Sequence, residues 1–264
     1  MKILILKLSG KAIDQFYSDS KWIEAVIKIK SLFDGLVIVH GAGKKITEWS
    51  ESLGIKTSFV NGHRVTDSET MEVVAAVQAG LLNSKIVSCL QSNNIEAVGL
   101  SGIDRGLFTA KYLNEELGFV GHPEQNGKAD WIFTLINENV IPVFSSVCRD
   151  ANGNLMNVNA DLFAKSIALT LKADSVIFLS DVDGVKLDGN YKSFITDLEI
   201  IEGIKSGEIN NGMIPKLESC LELLNNGINK IWIGKDFLDL DLNNLLSENN
   251  KKGSWIVSSQ TIAV

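Results

Sequence analysis

The chain predicts an α/β protein, a three-layer αβα sandwich around a mainly parallel open sheet, with β-hairpins decorating one end. Three observations lead there. Short, continuous, β-branched apolar runs recur along the 264 residues, and amphipathic stretches long enough for helices separate them. Runs of that kind suit strands buried on both faces, as parallel strands are. Strand and helix in alternation fold economically as right-handed crossovers on one sheet. Two turn-rich regions interrupt the alternation and mark the hairpins.

The apolar runs are Ile3–Leu8, Leu36–Val39, Ala97–Leu100, Ile141–Ser145, Val176–Leu179 and Lys230–Ile233. The helical stretches between them are Lys21–Leu32, Lys44–Ser52, Asp67–Leu90, Asp161–Leu171 and Met213–Asn226. Residues 104–125 and 146–158 are rich in turn signals, and Asn152-Gly153 between apolar flanks is a hairpin signal. No Pro- or Gly/Ser-rich linker divides the chain, so residues 1–264 read as one domain.

Hydrophobic residues make up 45%, enough for a sizeable core. Lys and Arg number 25 against 32 Asp and Glu, a net charge of -7. That balance argues against a nucleic-acid partner, which selects for a basic excess. An anionic substrate must then be held by a few local cations, not by a global field. Cys89, Cys148 and Cys220 are scattered and form no CxxC pair, which suits a reducing cytosol and buried structural thiols. No run reaches the roughly 18 apolar residues of a membrane span, and the opening MKILILKL is too short for a signal peptide. The expectation is a cytoplasmic protein without a membrane partner.

Six short motifs carry chemistry. Lys7-Leu8-Ser9-Gly10-Lys11 follows the first strand. It reads as a phosphate cradle built from backbone N–H groups and a cation, or as an ordinary strand-to-helix turn. His40-Gly41-Ala42-Gly43-Lys44 repeats the arrangement. It is no P-loop, because Ile38 stands where a glycine is needed and Lys45 where Ser or Thr is needed. Two such turns on parallel strands lie at the carboxyl edge, where open sheets bind ligands.

In Asn61-Gly62-His63-Arg64-Val65-Thr66-Asp67 an Asn-Gly turn presents Arg64 just before a helix capped by Thr66 or Asp67. A guanidinium grips a carboxylate well, although a solvated arginine explains the pattern equally; His63 has no partner at ligand spacing. In Asn157-Val158-Asn159-Ala160-Asp161, alternation puts Asn157 and Asn159 on one face, and Asp161 either serves the site or caps a helix. Leu179-Ser180-Asp181-Val182-Asp183-Gly184-Val185 ends a buried strand in a turn, or in an acidic pair able to reach Mg²⁺. Asn211-Gly212-Met213-Ile214-Pro215-Lys216 places Lys216 near a helix start, an odd place for a cation unless an anion is present. No His/Cys cluster has metal-ligand spacing.

In their order these segments resemble the amino acid kinase family, and within it the acylglutamate branch. Val98-Gly99-Leu100-Ser101-Gly102 matches as well, and the likeness spans residues 3 to about 234. The resemblance implies ATP-dependent phosphorylation of the γ-carboxylate of N-acetyl-L-glutamate, in arginine biosynthesis. N-succinyl-L-glutamate and a carrier-linked α-aminoadipate are alternative substrates; a catalytically silent binding protein is the non-enzyme alternative. It implies that Lys7 and Lys216 neutralise the phosphoryl group in flight and that Asp161 orients them. Ala42, Gly43, Arg64, Asn157 and Asn159 would bind the acyl-amino acid. Gly10, Ser180, Asp181, Val182, Asp183, Gly184, Ile209, Asn210 and Met213 would line the ATP site, with Mg²⁺ held mainly by the phosphates. It also implies an N-terminal lobe to about residue 172 for the acyl-amino acid and a C-terminal lobe from 173 for ATP.

Three departures from the family pattern stand out: Ser9 and Ala42 in place of glycines, and Ile103 and Arg105 within residues 102–106. Small residues at 9 and 42 preserve close backbone approach if φ stays negative. In similar kinases that arginine inhibits, an extra N-terminal helix precedes the first strand. Met1 lies only one residue before that strand here, so a homodimer insensitive to arginine is expected. Its interface would use the helix 67–90, with Val73, Val74, Val77 and Leu81 as its stripe, the alternative being that this stripe faces the protein's own core.

Overall fold

The apolar runs become strands, and what they bury explains why they are so continuous. A computed structural model describes residues 1–209, 212–235 and 253–262. Strands β1 (Ile3–Leu8) and β11 (Ser175–Leu179) pair in parallel, and every residue of both is buried. With both faces covered there is no polar side to alternate with, so β-branched and aliphatic residues fill the run.

Contacts divide the chain into two compact units, Met1–Leu36 with Ile167–Val264, and Val37–Ser166. They are not the halves expected on either side of residue 172. Residues 1–36 belong with the later half because β1 lies beside β11, and because the Asp174 carboxylate accepts the Ile3 N–H at 2.7 Å. The α/β class and the mainly parallel sheet stand as expected.

In the first unit the strand order is β14 (Phe194–Thr196), β16 (Ser254–Val257), β15 (Lys230–Gly234), β11, β1. In that sheet, among the described residues, only the β15–β16 pair is antiparallel. Helices α1 (Gly10–Ser18), α2 (Ser20–Leu32), α8 (Asp197–Ser206), α9 (Ile214–Asn225) and the short α10 (Ser259–Ile262) complete it. Helix α8 opens on a capping box in which Thr196 and Glu199 satisfy each other's backbone N–H groups. A small hairpin joins β12 (Val185–Leu187) to β13 (Asn190–Lys192).

The second unit holds β2 (Gly35–His40), which begins at the unit boundary, β8 (Ile141–Ser145) and β5 (Ala97–Ser101), all parallel. The expected hairpins form: β6 (Phe108–Tyr112) with β7 (Val120–Gln125), and β9 (Val147–Arg149) with β10 (Leu155–Val158). A parallel β7–β10 pairing joins them into one four-stranded sheet. Helix α3 (Gly43–Ser52) follows β2, a two-residue-strand hairpin of β3 (Phe59–Val60) and β4 (His63–Arg64) comes next, and α6 (Asp130–Asn137) precedes β8. Helix α7 (Ala160–Leu171) starts in this unit.

The longest helix runs from Ser68 to Ser92 as α4 (Ser68–Val74), a π-helical stretch Ala75–Leu82 and α5 (Asn83–Ser92). By length and composition it alone among the described residues could cross a membrane. Its apolar face is instead taken up by its own unit: Val73, Val74, Val77, Ile86 and Leu90 are buried. That corrects the expected dimer stripe, since Val73, Val74 and Val77 already pack inside one chain. The same helix carries Gln78 and Asn83 inward, both hydrogen-bonded to strand carbonyls, of His40 in β2 and Val143 in β8.

Candidate functional site

In the first unit, Lys7 stands near the end of β1, directly opposite Phe178 of β11, with only 8% of its surface exposed. Lys216, in the first turn of α9 and equally buried, places its Nζ 5.7 Å from the centre of the Phe178 ring. Two lysines remote in sequence are therefore drawn to one aromatic residue. A buried ammonium is costly unless other groups offset it, so both positions are held by the surrounding fold. Pro215 sits in the first turn of α9, where its missing N–H has no consequence.

Ser9 shows how this chain manages without a glycine. Its φ is −77°, and its hydroxyl accepts the Ala12 N–H at 3.2 Å, which makes it the N-cap of α1. Gly10 then opens the helix.

Beyond β11, Ser180 donates its N–H to the Gly234 carbonyl, and the backbone turns sharply through Asp181, Val182 and Asp183. Gly184 has φ +140°, and a Cβ there would lie 2.7 Å from Ser254 Oγ, so no other residue fits. Asp181 and Asp183 are exposed, with Lys235 Nζ 3.9 Å from Asp183. A cavity of about 350 Å³ opens beside this turn, lined by Val182, Gly184, Tyr191, Glu208, Ile209 and Met213 among others. Four of the residues expected for ATP thus converge on one hollow; Asn210 lies outside the described residues.

Sequence reasoning missed Tyr191 and Glu208. The Asp188-Gly189 pair between the strands of the β12–β13 hairpin was the available signal, and both residues take positive φ, 52° and 76°. Glu208 holds that turn by accepting the Asp188 N–H.

In the second unit the turn after β2 leads into α3. Ala42 is its N-cap residue with φ −151°, and no side chain caps the helix. A Cβ on Gly43 would meet nothing within 4 Å. The first N–H groups of α3 are thus left without a side-chain acceptor, beside open space.

This turn is held from below by a buried network. His40 is fully buried, and Asn83 Nδ2 approaches its Nε2 at 3.1 Å. Since the Asn83 amide donates, Nε2 is the acceptor and Nδ1–H donates to the Gly41 carbonyl at 3.1 Å. Burial pushes the His40 pKa down to about 4. Gln78 donates to the His40 carbonyl and to Ser146 Oγ. A Cβ on Gly99 would lie 2.0 Å from Asn83 Oδ1, which explains glycine there.

Arg64 is the most telling residue of this unit. Asn61 and Gly62 form the expected turn with φ of 48° and 80° and deliver Arg64 on β4, 6% exposed. Its Nη2 donates to the Gly43 carbonyl and to Thr47 Oγ1, each at 2.8 Å. The Phe59 ring covers its Cζ at 4.7 Å. Its Nη1 is buried with no hydrogen-bond partner, and among the described residues no carboxylate pairs with it. Burial also lowers its pKa.

Asn157 on β10 donates to Thr66 Oγ1 at 3.1 Å, and Thr66 in turn donates to the Arg64 carbonyl. Asn157 and Arg64 are thereby linked through one hydroxyl. Asn159 accepts the backbone N–H of Asp161 at 2.8 Å, so Asn159, not Asp161, caps α7. Asp161 is left in the first turn, half-buried. Asp67, not Thr66, caps α4 by accepting the Thr70 N–H.

Comparison with known proteins gives these features a common setting. The amino acid kinase family matches residues 2–235. The chain belongs to that family. Among its relatives, the acetylglutamate kinase of Sulfurihydrogenibium sp. (strain YO3AOP1) is 37% identical over 252 residues, covering 88% of this chain and 84% of its own. The acetylglutamate kinase of Leptospira biflexa serovar Patoc is 38% identical over 244 residues, covering 88% and 83%. Among solved structures, a Streptococcus mutans UA159 protein superposes with a TM-score of 0.79 at 27% identity, over 97% of this chain and 98% of that one.

Proposed function

We propose that this chain transfers the γ-phosphoryl group of ATP to the γ-carboxylate of N-acetyl-L-glutamate, in arginine biosynthesis. The observation that carries the reading is Arg64: a buried guanidinium with an unused nitrogen and no carboxylate partner among the described residues. Such a charge is tolerated when a ligand carboxylate completes it. The names of the relatives above supply the acyl-glutamate.

In this reading the substrate's α-carboxylate meets Arg64, and Asn157 steadies the strand beside it. The γ-carboxylate oxygen attacks the γ-phosphorus; a C–O–P bond forms as the bond to the β,γ-bridging oxygen breaks, and ADP leaves. The nucleophile is already ionised, so no base is required. Lys7 and Lys216 supply positive charge where negative charge moves from the γ-phosphoryl oxygens to the leaving oxygen. Asp161 is a third member of the machinery. The hollow at Val182, Gly184, Ile209 and Met213 takes the nucleotide. Asp181 and Asp183 offer exposed hard oxygen donors that suit Mg²⁺, which would neutralise phosphate charge when bound. A cytoplasmic homodimer completes the proposal.

An ATPase-coupled assay should compare N-acetyl-L-glutamate, N-succinyl-L-glutamate and glutamate, with hydroxylamine trapping the acyl-phosphate. N-acetyl-L-glutamate should be preferred; a preference for the succinyl compound, or no trapped product, would overturn the assignment. Arg64→Ala should raise KM for the acyl-amino acid by about 10- to 100-fold and leave KM for ATP nearly unchanged.

A further inference from the structure

We infer that Thr47 is a positioning residue for the carboxylate grip, fixing the direction in which Arg64 presents its unused nitrogen. The inference rests on the function proposed above. Thr47 sits one turn into α3, half-buried, with its hydroxyl 3.1 Å from the Gly43 carbonyl and 2.8 Å from Arg64 Nη2. A hydroxyl is donor and acceptor at once. Here it donates to Gly43 and accepts from Arg64. The Gly43 carbonyl also accepts from Arg64 Nη2 directly, at 2.8 Å. Guanidinium, hydroxyl and carbonyl close a triangle in which every bond has a defined donor.

The consequence is directional. Both hydrogens of Nη2 have an acceptor on α3, and the Phe59 ring lies over one face of the guanidinium. The plane and the rotation of the group are therefore set by α3 and Phe59, and Nη1 is left buried as the nitrogen without a hydrogen-bond partner. Gly43 belongs to the open turn after β2, so the same triangle ties that turn to the carboxylate grip. A threonine that bonds back to the carbonyl four residues earlier is common inside helices and by itself has no functional meaning. What differs here is the second bond, from a buried charged group on another element.

The purely structural role and the positioning role predict different kinetics. Thr47→Val keeps shape and volume but removes both hydrogen bonds. It should raise KM for N-acetyl-L-glutamate by about 10- to 100-fold, the range of a hydrogen bond to a charged group, while kcat changes less than about threefold. Thr47→Ser, which retains the hydroxyl, should return KM to within about threefold of the unaltered chain. In an Arg64→Ala background, Thr47→Val should add less than about twofold, because its effect passes through the guanidinium. Thr47→Ala provides the same comparison if the valine variant does not fold, and calorimetric titration with N-acetyl-L-glutamate checks binding directly. The inference fails if Thr47→Val leaves KM unchanged, raises both substrates' KM equally, or keeps its full effect without Arg64. An unaltered chain that yields no hydroxylamine-trapped product from N-acetyl-L-glutamate would instead remove the proposed function.

Discussion

The two turns that follow β1 and β2 look alike in sequence and behave differently. Each ends a fully buried strand, and each opens a helix after small residues. After β1, the Ser9 hydroxyl takes up a backbone N–H of α1. After β2, Ala42 offers no side chain to α3, and Gly43 faces open space. A small-residue turn before a helix therefore does not by itself leave an anion site. The cap residue decides whether the helix's own N–H groups are satisfied internally. The first turn has a buried lysine beside it; the second has a helix start that its own N-cap side chain leaves uncapped.

The largest expected effect tests the first turn. Lys7→Ala and Lys216→Ala should each lower kcat by roughly 10²–10³, about 2.7–4 kcal/mol if each lysine acts like an oxyanion donor. Steady-state kinetics with kcat unchanged in either variant would remove that role.

The second turn has a built-in sensitivity to acid. Folded His40 titrates at about 4 against an ordinary 6.5, so the unfolded chain takes up the proton first. The stabilisation is complete above pH 6.5 and is lost as pH falls toward 4, by about 3 kcal/mol at 1.36 kcal/mol per unit. Denaturant melts at pH 7 and pH 4.5 should show the loss, and His40→Gln should flatten it. An equal slope in both proteins would mean that other groups govern acid unfolding.

Smaller effects sharpen the contrast between the caps. Ser9→Ala should destabilise the chain by about 1 kcal/mol and Ser9→Gly by only a few tenths, read from urea midpoints. Ala42→Ser runs the experiment in reverse: a stability gain below about 1 kcal/mol, with weaker substrate binding because the new hydroxyl competes for the N–H groups. Binding unchanged in Ala42→Ser would show that those groups do not touch ligand.

Much of this was legible along the chain. The six apolar runs and five helical stretches reappear within a residue or two of their expected ends, since two-face burial and amphipathic period leave direct marks in sequence. The Asn61-Gly62 turn and both larger hairpins were legible for the same reason: positive φ selects a few residue types. The β12–β13 hairpin carried an equal signal in Asp188-Gly189 and went unread between two stronger motifs. The Val73, Val74 and Val77 stripe misled because helical spacing reports that a face is buried and not against what.

By itself, then, the sequence determined the α/β class, the turns at strand ends, and which residue types could carry phosphoryl transfer. Those depend on local properties: period, φ preference and side-chain charge. Only the tertiary structure decided that Asn159 caps α7 and leaves Asp161 to the first turn, and that Lys7 lies opposite Phe178 in the sheet while Lys216 reaches the ring of that same residue. It also decided that Thr47 and Gly43 hold Arg64 on one side while its Nη1 stays buried without a partner. Each of these turns on which groups far apart in the chain share a hydrogen bond or a dry surface, and burial changes the energy of a charge more than its neighbours in sequence do.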